Sequence, residues 1–92
     1  MAFTVKYHPD VKRGDIPPIN VKMRERIRRA IESRLMTSPN DYGLPLRKSL
    51  RGYWKLRVGN YRVVFKIEGE IVYLLGIRHR KKVYEDVTGR IE

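Results

Sequence analysis

Residues 50–67 alternate apolar and basic side chains on either side of a Gly-Asn pair at positions 59 and 60. Successive side chains of a β-strand point to opposite faces, so the alternation gives this stretch two different faces. The apolar face carries Trp54, Leu56, Val58, Tyr61, Val63, Phe65 and Ile67, and the other face carries Tyr53, Lys55, Arg57, Arg62, Val64 and Lys66. The stretch is therefore predicted to be a β-hairpin with one buried face and one cationic face.

The cationic face belongs to a strongly basic segment of the chain. Between Tyr42 and Tyr84 there are eleven Lys or Arg residues and two acids, Glu68 and Glu70, so this segment carries +9 (eleven minus two) of the formal net charge of +11. Charge of one sign destabilises an isolated fold through self-repulsion. We therefore expect a polyanionic partner, with nucleic acid, an anionic membrane surface and an acidic protein as the alternatives.

Length and composition restrict the class of protein further. The 92 residues predict a single domain over positions 1–92, with a core shared by all of its elements. The chain has no cysteine, no long apolar run and no Gly-rich phosphate loop, and its two histidines are far apart. The sequence therefore predicts no disulfide, no membrane segment, no metal and no small-molecule cofactor. We expect a cytoplasmic protein.

Residues 21–36 have the spacing of an amphipathic helix. The members of its apolar stripe are Met23, Ile27, Ala30, Ile31 and Leu35. Asn20 is a suitable N-cap, and Pro39 follows the end of the helix. A basic amphipathic helix can lie on a membrane or in the groove of a partner. In one domain with strands on both sides, we expect the stripe to pack on the sheet.

The remaining segments complete an α+β arrangement. Residues 3–7 and 71–77 have the patterns of strands, while residues 10–20 and 37–52 contain prolines and glycines that predict mostly irregular structure. Residues 85–92 form a short tail with at most one helical turn. The order predicts an antiparallel sheet, made of an N-terminal strand and a three-strand C-terminal meander, with one main helix packed on one face.

Five basic side chains of this arrangement are expected to form one surface. Lys55, Arg57 and Arg62 lie on the hairpin, and the turn at Gly69 returns the chain so that Arg78 and Arg80, at the end of the last strand, lie alongside. Arginine binds phosphate oxygens bidentately, and a preorganised cluster favours the dianionic transition state of phosphoryl transfer over a monoanionic diester.

Such a surface suits RNA cleavage without a metal, because the ribose 2′-hydroxyl is an internal nucleophile next to the scissile phosphate. Lys55 is then the candidate base, and Tyr84 or His79 is the candidate for the other proton. Alternatively, these residues only bind phosphate.

Two segments resemble the C-terminal half of the RelE/ParE toxin superfamily. They are Leu-Arg-Gly-Tyr-Trp-Lys-Leu-Arg-Val-Gly-Asn-Tyr-Arg-Val-Val-Phe at 50–65 and Ile-Arg-His-Arg-Lys-Lys-Val-Tyr at 77–84. With the strand and helix upstream, the resemblance covers most of the chain. It implies a microbial-RNase-like fold. RelE-type members are ribosome-dependent endoribonucleases that cut mRNA in the A site and are neutralised by a cognate antitoxin, whereas ParE-type members inhibit DNA gyrase.

The resemblance also assigns residues to the expected site. Lys55 and Arg62 match the hairpin lysine and arginine of the family, Arg78 or Arg80 matches the arginine at the end of the last strand, and Tyr84 matches the C-terminal tyrosine. These residues are expected to bind the scissile phosphate and to move its protons. The basic residues expected to bind the rest of the RNA are Lys48, Arg51, Arg57, Lys66, Lys81 and Lys82.

The sequence thus predicts a toxin of a type II toxin-antitoxin system that cleaves mRNA on the ribosome. Its expected partners are a cognate antitoxin and mRNA on the 70S-type ribosome. A ParE-like gyrase inhibitor and a non-toxic RelE-fold module that binds RNA or a partner are the alternatives. Tyr53, which stands where some RelE enzymes have a second hairpin lysine, leaves the last alternative open.

Overall fold

The elements of the fold follow the predicted order, in a computed structural model that describes residues 2–91. The strands are β1 (Thr4–Tyr7), β2 (Leu44–Pro45), β3 (Trp54–Val58), β4 (Tyr61–Glu68) and β5 (Ile71–His79). The helices are α1 (Val21–Ala30), α2 (Pro39–Tyr42) and α3 (Val83–Thr88). Two π-helical turns lie at Val11–Asp15 and at Ile31–Leu35, where the second continues α1, and a 3₁₀ turn lies at Lys48–Leu50. All five strands form one sheet in the order β1-β5-β4-β3-β2, which confirms the α+β class.

Strand β1 differs from the prediction in its direction. Strands β2 to β5 are antiparallel to their sequence neighbours, as expected for a meander. Strand β1, however, pairs with β5 in parallel, from Thr4 opposite Ile71 to Tyr7 opposite Leu74. The alternation of a strand specifies which face is buried but not its direction, and the long connection through α1 allows either one.

The β3–β4 hairpin has the register that its sequence predicts. Val58 pairs with Tyr61 and Arg57 pairs with Arg62, which leaves a two-residue turn. Gly59 in this turn has a φ of +59°, the left-handed conformation that the first central residue of a type II′ turn requires. Glycine adopts it without the strain of a side chain, so the turn fixes the register of the basic residues.

Helix α1 covers one face of the sheet and begins at the predicted N-cap. The side chain of Asn20 accepts the Met23 N–H at 2.9 Å. The buried residues that form the main core beneath the helix include Ile27, Ile31, Leu35, Leu56, Val63, Phe65 and Leu74. The predicted packing of the stripe on the sheet is therefore confirmed. Along residues 2–91, every helix is too short or too polar to cross a membrane.

The other face carries a smaller core beneath α3. Val83 and Val87 pack there with Val64, and a Cβ at Gly76 would clash with Val87, so glycine allows the helix to approach this closely. The helix begins before the expected tail at 85–92 and covers part of the face predicted to be cationic. Two valines four residues apart are too short a pattern to predict this packing. Positions 1 and 92 of the predicted domain lie outside the described residues.

Candidate functional site

Three arginines lie side by side across the face opposite α1. Arg57 of β3 is the pairing partner of Arg62 of β4, and Arg62 is also the pairing partner of Arg78 of β5. Adjacent strands are about 4.8 Å apart, so the backbones of the three arginines lie in one transverse line. We call this set the arginine row. Like charges directly opposite each other destabilise a sheet, so a bound anion is favourable here.

Two members of the arginine row retain capacity to bind a ligand. Arg57 is exposed, and Arg62 is half-buried. Arg62 folds back over the hairpin turn, where its Nη1 donates to the carbonyl oxygens of Gly59 at 3.1 Å and Tyr61 at 2.9 Å. These bonds fix the guanidinium in position, and their acceptors are carbonyl oxygens, which do not neutralise its charge. Arg57 and Arg62 are therefore the members best placed to neutralise a phosphate.

Arg78, by contrast, is held by two carboxylates. Its Nη1 lies 3.2 Å from Asp15 Oδ1, and its Nη2 lies 2.9 Å from Asp86 Oδ2 on α3. Its side chain is still 37 % exposed. The structure thus places Arg78 in the predicted row, where most of its charge is already balanced by the protein.

Asp15 is a buried acid that the sequence analysis did not identify. Strand β1 ends at Tyr7, so the edge of β5 beyond Leu74 has no neighbouring strand. The turn Val11–Asp15 covers this edge, and Oδ2 of the fully buried Asp15 side chain accepts the Ile77 N–H at 2.9 Å. A single side chain thus replaces a strand at this point. A lone aspartate in a proline- and glycine-rich segment has no spacing that would have predicted this role.

Arg90 binds the same carboxylate from the other end of the chain. Its Nη1 and Nη2 donate to Oδ2 and Oδ1 of Asp15 at 2.7 and 2.8 Å, and Nη1 also donates to the Leu75 carbonyl at 3.1 Å. Burial alone would raise the pKa of Asp15, but the hydrogen bonds from Arg90, the Ile77 N–H and Arg78 outweigh burial and hold that pKa below its ordinary value. Asp15 is therefore negatively charged at neutral pH and fixes the position of Arg78.

Lys55 and Tyr84, both predicted to act on protons, lie together. The Nζ atom of Lys55 is 5.9 Å from the centre of the Tyr84 ring, a cation-π contact. Lys55 precedes Arg57 by two residues on β3, which places it about 6.6 Å along the same face. Tyr84 is half-buried in the first turn of α3, beside the buried Val83. An ammonium and a phenol therefore stand next to the arginine row.

His79, the alternative to Tyr84, lies on the other face. Its pairing partner is Tyr61, whose ring it meets edge-on with the ring centres 5.7 Å apart. Its Nδ1 accepts the Lys81 N–H at 3.3 Å. The register therefore separates His79 from Lys55.

Most of the other predicted basic residues are exposed. Arg80 is exposed, and its N–H donates to the Asn60 carbonyl at 2.8 Å, so it lies beside the hairpin turn. The remaining exposed basic residues of the predicted set are Lys48, Arg51, Lys81 and Lys82. Lys66 is half-buried and lies 3.2 Å from Glu68, and the hydrogen bond to that carboxylate raises the pKa of Lys66.

The geometry suits chemistry on a phosphodiester. Arg57 and Arg62 offer charge for the phosphate oxygens, and Lys55 and Tyr84 offer groups that exchange protons. Within residues 2–91, no three His, Asp or Glu side chains come together as a metal site requires.

The sequence matches a known family over most of its length. The model of the ParE toxin of type II toxin-antitoxin systems, parDE, matches residues 8–84. Toxin RelE3 of Methanocaldococcus jannaschii is 31% identical over 74 residues, which cover 77% of this chain and 84% of the relative. Toxin RelG of Mycobacterium tuberculosis is 28% identical over 86 residues, which cover 91% of this chain and 98% of the relative.

Solved structures show the same fold. The toxin-antitoxin complex RelBE2 of Mycobacterium tuberculosis contains a chain with a TM-score of 0.79 and 27% identity, over 87% of this chain and 93% of that one. A double mutant of the E. coli toxin RelE in the free state matches over the whole of both chains with a TM-score of 0.74 at 19% identity, a likeness of fold alone. From the match over residues 8–84 and from these relatives, the chain belongs to the RelE/ParE superfamily of toxins from type II toxin-antitoxin systems.

Proposed function

We propose that this toxin is a metal-independent endoribonuclease that cleaves mRNA on translating ribosomes in the cytoplasm. The observation that carries the proposal is the position of the Lys55–Tyr84 pair beside the arginine row, on one face of the sheet. One extended RNA strand laid on that face contacts both groups. The other face is covered by α1.

The proposed reaction is attack of the ribose 2′-hydroxyl on the adjacent phosphorus. The new bond joins the 2′-oxygen to phosphorus, and the bond from phosphorus to the 5′-oxygen breaks, giving a 2′,3′-cyclic phosphate and a 5′-hydroxyl. One proton leaves the 2′-hydroxyl and one reaches the departing 5′-oxygen. We assign these two transfers to Lys55 and Tyr84 as a pair.

The arginine row is proposed to stabilise the extra negative charge of the transition state. A diester carries one charge, and the five-coordinate species formed by 2′-attack carries two, so fixed cations favour the transition state over the bound substrate. Arg57 and Arg62 supply this charge directly. Arg78 contributes less, because Asp15 and Asp86 already balance it.

We further propose that a cognate antitoxin protein binds this toxin. The RelBE2 relative and a RelB-RelE pair from Methanococcus jannaschii, the latter at a TM-score of 0.69, were both solved as toxin-antitoxin complexes. An antitoxin with an acidic segment would complement the net charge of +11.

The proposal is tested by expressing the toxin and mapping cleavage of ribosome-bound mRNA in vitro. Wild-type protein is expected to cut mRNA in register with the reading frame, and Arg62→Ala or Lys55→Ala is expected to lower the cleavage rate at least tenfold. Arg24→Ala is the matched control, because Arg24 is exposed on α1, which covers the opposite face of the sheet, and lies apart from the residues of the proposed site. Undiminished cleavage by Arg62→Ala would reject the site.

A second candidate function is inhibition of DNA gyrase, which the match to the ParE model favours. It needs no nuclease chemistry. In that case purified gyrase would fail to supercoil plasmid DNA in the presence of the toxin, and mRNA on ribosomes would stay intact. These two results together would establish gyrase inhibition in place of mRNA cleavage.

A further inference from the structure

A cavity of about 260 Å³ lies next to the proposed site and has no part in the proposed reaction. The residues that characterise its lining are His8, Tyr53, Lys66, Tyr73, Leu75 and Arg90. Such a volume is below that of sites for drug-sized ligands and suits a single flat ring system.

Tyrosine and lysine side chains give the cavity its chemistry. Tyr73 of β5 is the pairing partner of Lys66 of β4, and the Nζ atom of Lys66 lies 5.4 Å from the centre of the Tyr73 ring. Tyr53, just before β3, is half-buried like Tyr73, so both rings keep part of their surface accessible. Aromatic rings beside cations bind the bases of single-stranded nucleic acids through stacking and cation-π contacts.

The cavity opens on the same face of the sheet as the arginine row, farther along β4. Lys66 and Arg62 are four residues apart on β4 and point to the same face, so they are separated by about 13 Å along the strand. A few nucleotides of an extended strand span this distance. The Lys55–Tyr84 pair lies between the two, because Lys55 is the pairing partner of Val64.

Charge favours a neutral ligand in the cavity. Glu68 lies 3.2 Å from the Lys66 ammonium, and Arg90 is bound to Asp15. Both cations of the lining are thus largely balanced, which lowers the attraction for a phosphate or an acidic peptide. The half-exposed Glu68 carboxylate would also repel an acidic chain.

We propose that the cavity between Tyr53 and Tyr73 binds one nucleobase of the RNA strand whose phosphate lies on the arginine row. This inference rests on the proposed function for the identity of the strand. The base is held by stacking on the tyrosine rings, and the cavity thereby contributes to the choice of the cleaved sequence.

The test measures binding of a fluorescent 2′-O-methyl oligoribonucleotide, which lacks the internal nucleophile, to the purified full chain. The comparison probe is the same oligonucleotide with one abasic position. Tyr53→Leu and Tyr73→Leu keep apolar bulk but lose the ring, and each is expected to weaken binding of the complete probe about tenfold. Tyr53→Phe and Tyr73→Phe keep the ring and are expected to bind as the wild type does.

Tyr42→Leu is the matched control, because Tyr42 is 51% exposed and contacts a cation, Arg34, outside the cavity. Binding of the probe that is abasic at the stacked position should be the same in wild type and both leucine variants. The inference would be overturned if the leucine substitutions weakened binding of the complete and the abasic probe equally. It would also be overturned if the wild type bound an acidic peptide more tightly than the oligonucleotide, or did not bind the oligonucleotide at all. Since no cleavage and no ribosome are involved, base-dependent binding without ribosomal cleavage would reject only the proposed reaction.

Discussion

Asp15 and Arg90 are 75 residues apart in the sequence and are joined by hydrogen bonds of 2.7 and 2.8 Å. The same carboxylate accepts the Ile77 N–H and contacts Arg78, a member of the arginine row. One buried acid therefore closes an edge of the sheet, holds the segment after α3 and orients a basic residue of the candidate site.

Asp15→Ala is expected to destabilise the fold by about 3–5 kcal/mol, because it leaves the Arg90 guanidinium without its buried counterion. Asp15→Asn keeps an acceptor for the Ile77 N–H and should cost less. Urea denaturation followed by circular dichroism measures both. Asp41→Ala, at an exposed position in α2, should stay within about 0.5 kcal/mol of wild type. Equal stability of Asp15→Ala and Asp41→Ala would contradict the structural role.

Acid should remove the contribution of Asp15 to stability. Its pKa in the folded chain lies below the value of 3.8 that an unperturbed aspartate has, so the unfolded chain binds more protons near that pH. The contribution is therefore complete above about pH 5 and is lost as pH falls through 3.8 toward the folded pKa. Unfolding free energies measured between pH 7 and pH 3 should fall less steeply for Asp15→Asn than for wild type. Parallel curves would show that another acid is responsible.

Gly76→Ala should displace α3, because the new methyl group clashes with Val87. We expect a loss of about 1–3 kcal/mol, as for other overpacked sites, together with lower nuclease activity as Tyr84 moves away from Lys55. Gly89→Ala is the matched control, since a Cβ there meets open space at a negative φ. Thermal unfolding and the ribosome assay on the same preparations would separate the two effects. A Gly76→Ala protein as stable as Gly89→Ala would show that α3 does not depend on this close approach.

Tyr84→Phe tests whether the phenol transfers a proton. The ring and its contact with Lys55 remain, so stability should be within about 0.5 kcal/mol of wild type. Loss of general acid-base catalysis should lower single-turnover cleavage on the ribosome by about 10²–10⁴-fold. Tyr42→Phe removes an exposed hydroxyl elsewhere and should leave the rate unchanged. If Tyr84→Phe cleaves at the wild-type rate, Tyr84 serves only to position Lys55.

The hairpin half of the candidate site could be predicted because its information is local. Alternation sets the faces, and Gly59 sets the turn, so Arg57 and Arg62 were expected side by side. Residue chemistry made Lys55 the candidate base and left Tyr84 and His79 open for the other proton, and the family resemblance then favoured Tyr84. No short-range rule predicted that the side chains of Lys55 and Tyr84 lie together.

The rest of the site depends on contacts that no local pattern encodes. Strand β5 has one extra residue, Leu75, between the pairs Val64–Gly76 and Phe65–Leu74. This residue shifts the register of β5, and the Leu75 side chain joins the core under α3. Asp15 meets Arg90 only because β1 stops early. Neither the extra residue in β5 nor the early end of β1 produces a periodic pattern in the sequence. The parallel direction of β1 likewise depends on long-range contacts rather than on a local pattern.

The long separation of Asp15 and Arg90 also orders events during synthesis. The ribosome releases Asp15 well before Arg90, and until Arg90 emerges the carboxylate lacks its main counterion, so burial of the turn Val11–Asp15 against β5 is unfavourable. Arg78 contacts both Asp15 and Asp86 of α3. Docking of α3, which brings Tyr84 to Lys55, is therefore linked to burial of the same turn. The nascent chain therefore contains its basic hairpin before Tyr84 of α3 can reach Lys55.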